Sequence, residues 1–85
     1  MVDDYYQEAI LDIESLQAWA NSRNTYPFGM KAQMDISNKL LHQAKHLRCE
    51  SHYGHAYRVA LQSLHAIDKA QRIYISASNI DKTKT

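Results

Sequence analysis

The sequence predicts an all-α protein, a small three-helix bundle. Apolar residues recur at helical spacing through most of the chain. Only two Gly and one Pro interrupt its 85 residues, too few for a sheet with many tight turns. The apolar stripe also changes phase once. Met30, Met34, Leu40, Leu41, Ala44 and Leu47 share one side at about 100° per residue. Continued as one helix, that side would next present Ser51, His55, Arg58, Gln62 and His65, which are all polar. The apolar set Tyr53, Tyr57, Ala60, Leu64 and Ile67 lies about half a turn away. Either the helix breaks between Arg48 and Gly54, or one long helix serves two partners. The bundle reading takes the break.

The first helix is expected over about 3–22. Tyr6, Ala9, Ile10, Ile13, Leu16, Gln17 and Ala20 follow the spacing of one buried face. Asp3 and Asp4 suit the first turn, where a carboxylate accepts from free N–H groups and meets the positive end of the helix dipole. Asn21-Ser-Arg-Asn-Thr-Tyr-Pro-Phe-Gly29 is the one cluster of breakers. Pro27 disfavours helical geometry at Tyr26, so a loop is placed there. The second helix is expected over about 29–48 and the third over about 52–76. Residues 1–77 read as a single helical domain, and 78–85 as a polar, frayed tail.

A chain this short makes one modest core, burying about 60–65% of its unfolded surface. A dimer would help complete it. No apolar run approaches the roughly 20 residues of a membrane span, and no signal peptide follows the acidic N-terminus. The single Cys49 excludes an intrachain disulfide and fits a reducing compartment. A cytoplasmic protein with no membrane contact is the expectation.

Net charge is +1, unevenly spread. Residues 1–28 carry five acids and one base, and residues 29–85 carry nine Lys/Arg against four acids. All five histidines fall between His42 and His65. Lys39, Lys45, Arg48, Arg58, Lys69 and Arg72 form the candidate set for phosphate contact, with Tyr53, Tyr57 and Tyr74 near enough in sequence for stacking. That makes a nucleic-acid-binding regulator the alternative function. Against it, no two of these bases are adjacent, and the tyrosine-rich third helix reads as core.

His42, His46 and Cys49 would share a helix face, and imidazole and thiolate ligate zinc. A fourth ligand is wanting, so no metal and no cofactor are expected. Arg48 and His55, with six residues between them, resemble the short Arg-to-His spacing of the HEPN ribonucleases, helical bundles that cleave RNA across a dimer interface. The resemblance covers eight residues and implies a remote ribonuclease alternative. Cys49 stands where that family favours a polar residue, and the family domain is usually longer. Gly29 and Gly54 stand alone, so no phosphate loop exists. No catalytic set is identified, and the chain is read as a non-enzyme.

The strongest signal is surplus apolar surface. Leu11, Ala18 and Trp19 fall off the main stripe of the first helix, Ile36 sits at the edge of the second, and Ile73 and Ile75 flank Tyr74. Trp19 lies about 100° from the centre of its stripe. Trp and Tyr favour the centres of protein interfaces. The expected partner surface is therefore Leu11, Trp19, Ile36, Ile73 and Tyr74. The expected function is protein–protein interaction, as an adaptor, inhibitor or regulator that also forms a homodimer. Phage and plasmid accessory proteins that block a host complex are an analogy for such a chain.

Overall fold

The computed structural model describes residues 2–83. They form α1 (Val2–Asn21), α2 (Met30–Cys49) and α3 (Tyr53–Thr83). The chain runs up, down and up. α3 is the spine and packs along both other helices, whereas α1 and α2 meet only briefly. The expected bundle is present. The radius of gyration is 14.4 Å, against about 12 Å for a chain of this length. The excess comes from α3. Its 31 residues span about 46 Å at 1.5 Å each, while α1 and α2 span about 30 Å.

α1 ends where Ser22 and Arg23 take over its last carbonyls. Three donors converge on the Trp19 carbonyl oxygen: the Ser22 amide at 3.3 Å, the Ser22 hydroxyl at 2.8 Å and Arg23 Nε at 3.1 Å. Gly29, at φ 90°, turns the loop into α2, a conformation that a Cβ disfavours. α2 ends in a Schellman turn. The Ser51 amide donates to the Arg48 carbonyl at 3.0 Å and the His52 amide to the Leu47 carbonyl at 2.9 Å. Ser51 itself sits at φ 67°, where glycine is usual. This turn is the physical basis of the phase change. The stripe rotates because a new helix begins.

The core has two parts. Tyr6, Ala9, Ile10 and Ile13 of α1 meet Leu41 and Ala44 of α2 and Ala56, Val59 and Ala60 of α3. Further along, Ala20, Met30, Ile67 and Ala70 form a second cluster, and Leu64 packs against both. Between them lies a polar layer with one residue from each helix. The Ser63 hydroxyl donates to the Ser37 carbonyl oxygen at 2.7 Å. The two hydroxyl oxygens are 3.1 Å apart. Ser63 has committed its proton, so Ser37 is the donor between them. Gln17 Nε2 donates to Ser37 Oγ at 3.3 Å. Both serines are fully buried, and each buried group has a partner, which removes the main cost of burying it.

One boundary differs from expectation. α3 continues to Thr83 rather than ending near residue 76. Residues 77–83 contain no Gly or Pro to stop it, and a helix already nucleated adds turns at little cost. Of the expected frayed tail 78–85, the last two positions lie outside the described residues. No helix among the described residues is long and apolar enough to cross a membrane.

Candidate functional site: the tyrosine face

The eight aromatic residues divide evenly between the two ends of the bundle. Tyr5, Tyr6, Tyr53 and Tyr57 lie where α1 and α3 begin. Trp19, Tyr26, Phe28 and Tyr74 lie around the α1–α2 loop.

At the first end, the side chains build around Arg48. Its guanidinium donates twice to Asp3 Oδ1, from Nε at 3.0 Å and Nη2 at 2.8 Å. It also lies 5.4 Å from the Tyr6 ring centre and 6.0 Å from that of Tyr53, within cation–π range. The bond to Asp3 and that carboxylate's charge push the Arg48 pKa further up, so it stays charged. Tyr6 is buried, and desolvation raises its pKa, with the Arg48 charge opposing. Tyr5 stacks obliquely on Tyr57, ring centres 6.3 Å apart. The outer sides of these rings are open. Tyr5 is 58% exposed, Tyr53 49% and Leu61 40%. Tyr53, Tyr57 and Leu61 recur every four residues, so they form a line on α3 beside α1.

Tyr53 is therefore not core, contrary to the sequence expectation, and Tyr57 is only half-buried. Of the α1 residues Asp3, Tyr5 and Tyr6 in this region, Tyr6 turns inward while Asp3 and Tyr5 stay at the surface, so the outer sides of Tyr53 and Tyr57 remain open. The signal available in the sequence was the density of tyrosine at two helix starts, which periodicity alone assigns to the interior.

The five residues expected to meet a partner do not form one surface. Trp19 packs edge-on against Tyr74, ring centres 5.3 Å apart at 88°. Arg23 covers the indole, its guanidinium 4.8 Å above the ring. Trp19, Ile73 and Tyr74 all pack against the second core cluster. They are half-buried within the fold rather than free. The reason is the packing of α3 along α1, which sets Tyr74 against the Trp19 ring at the end of α1. Leu11 is 66% exposed and Ile36 44%, but they stand apart. Leu11 lies about 160° from the buried Ile13 around α1, and Ile36 is on another helix.

The candidate phosphate-binding bases are also divided. Lys45 pairs with Glu14 at 3.5 Å, Arg48 with Asp3 at 2.8 Å and Arg72 with Asp68 at 3.1 Å. Lys39, Arg58 and Lys69 are exposed. His42, His46 and Cys49 are all exposed, and His46 Nε2 lies 3.1 Å from Glu50. Among the described residues no group of three His, Cys, Asp or Glu could hold a metal ion. Arg48 is engaged with Asp3 and two rings, while His55 stands exposed on α3.

No protein-family model, curated protein or solved structure matches the chain.

Proposed function

We propose that the chain is a protein–protein interaction module, a small helical adaptor or regulator acting through the tyrosine face. The observation that carries this reading is the open line Tyr5, Tyr53, Tyr57 and Leu61 around a fixed arginine. Tyrosine and arginine are the residues that most often anchor protein interfaces, because they offer large contact area at small entropic cost. Here the rings are ordered before any partner arrives. Tyr5 leans on Tyr57 and Arg48 is clamped by Asp3, so little freedom remains to be lost on binding. Arg48 presents its ion pair at the rim, where it sets orientation more than affinity.

Photo-crosslinking tests this. A benzoylphenylalanine placed at position 53 should trap a protein in the native host, and the same group at position 11 should not. The chain itself belongs among the expected products if the module self-associates. Equal trapping from both positions, or from neither, removes the tyrosine face as the site.

A further inference from the structure

We propose that the outer face of α3, together with Phe28, docks on an anionic membrane surface. This face lies about a quarter-turn round α3 from the tyrosine line and does not depend on it. His55, Arg58, Gln62, His65, Lys69 and Arg72 are spaced three or four residues apart and all are exposed. They form a straight line about 25 Å long at 1.5 Å per residue. No acid stands on that line. The nearest, Asp68, is held by Arg72. The line thus carries three permanent cations, Arg58, Lys69 and Arg72, the last paired with Asp68, in a chain whose net charge is only +1.

At its end, Phe28 projects from the α1–α2 loop with 102% relative exposure. Lys69, Arg72, Ile73 and Ala77 of α3 line the shallow surface beside it without covering the ring. The loop that presents it is fixed. The Met30 amide donates to the Pro27 carbonyl at 3.0 Å, and the Tyr26 hydroxyl to the Asn21 carbonyl at 3.3 Å. Lys31 lies 5.3 Å from the Tyr26 ring centre, adding a base beside the knob.

The two features suit one occupant. A row of bases beside a bare aromatic knob matches a surface whose charge is negative and whose interior is apolar. An anionic bilayer is both, and being fluid it accepts a convex knob without a preformed pocket. A nucleic-acid duplex would satisfy the bases but admits an aromatic wedge only by unstacking a base step, at a few kcal/mol, a cost the bilayer does not impose on Phe28. α3 lies along the surface in this arrangement and does not enter the hydrocarbon, consistent with its exposed polar residues.

The test is co-sedimentation of the full chain with lipid vesicles at low salt. Vesicles of phosphatidylcholine with about one-third phosphatidylglycerol should retain it, and pure phosphatidylcholine should not. Arg58→Gln and Lys69→Gln should each lower partitioning about fivefold. Phe28→Ala should lower it about tenfold or more, with an unchanged melting curve because nothing covers Phe28. Leu11→Ala, also an exposed apolar residue but off this face, should leave partitioning unchanged. Equal retention on neutral vesicles, or full retention of Phe28→Ala, overturns the proposal. So does binding to a labelled DNA duplex in the absence of any vesicle binding, which would assign the line of bases to nucleic acid.

Discussion

Replacing Ser63 with alanine should destabilise the bundle through one buried hydrogen-bond chain. The Ser63 hydroxyl donates to the Ser37 carbonyl and accepts from the Ser37 hydroxyl. Alanine removes both roles and creates almost no cavity. The Ser37 hydroxyl then keeps a donor in Gln17 but loses its acceptor. A buried donor left without a partner costs about 1–3 kcal/mol. Alanine returns about 0.5 kcal/mol of helix propensity. The net loss is about 1–2 kcal/mol, a fall in Tm of about 5–15 °C for a domain of this size. Ser37→Ala should cost less, about 0–1 kcal/mol, because Ser63 still donates to the backbone carbonyl. The double variant strands no buried group, since the half-buried Gln17 amide can turn to water. It should be no worse than Ser63→Ala alone. Urea denaturation followed by circular dichroism at constant m-value closes the cycle. A coupling of about 1 kcal/mol is expected. Strictly additive single costs would refute the relay, as would a Ser63→Ala protein as stable as the parent.

Three further outcomes follow from other local geometry. Ser51→Gly should stabilise by about 0.5–1 kcal/mol, because glycine takes φ 67° without the Cβ conflict; a lower Tm would contradict the Schellman assignment. Tyr6 should be the last tyrosine to ionise in a spectrophotometric titration, since desolvation raises its pKa. Its folded value lies above its unfolded value, so its contribution to stability is complete below the ordinary tyrosine range and is lost as pH rises through the raised value; alkaline unfolding curves that are identical for Tyr6→Phe would argue against this. Trp19 emission should be blue and independent of protein concentration, and Tyr74→Ala should shift it red; emission that is already red in the parent would mean that Tyr74 and Arg23 do not cover the indole.

Most of the fold was legible in the sequence because periodicity reports which face is buried. The starts of α1, α2 and α3 fall within one residue of expectation, where caps and breakers act locally. The end of α3 was not legible. Its last turns are polar, and polarity alone resembles a tail when no Gly or Pro marks a stop. The serine layer was hidden for a different reason. Ser37 and Ser63 lie in phase with their apolar stripes, but each needs the other helix to satisfy its hydroxyl, and pairing between helices has no periodicity. Trp19 was misplaced because its cover comes from Tyr74, 55 residues later. Phe28 lies in a loop, where no stripe predicts exposure. Of the residues now placed at the tyrosine face, the sequence reading treated Tyr53 and Tyr57 as core, whereas of the two neighbouring α1 tyrosines only Tyr6 turns inward, which leaves their outer sides open.

The central claim is that the tyrosine face is the surface a protein partner grips. Titration calorimetry with the crosslinked partner tests it most directly. Tyr5→Ala and Tyr53→Ala should each weaken binding by about 2 kcal/mol, roughly thirtyfold, while Ile36→Ala on α2 leaves the affinity unchanged and all three variants keep the helicity of the parent. Undiminished affinity in both tyrosine variants, with a loss at Ile36, would contradict the account and move the interface to α2.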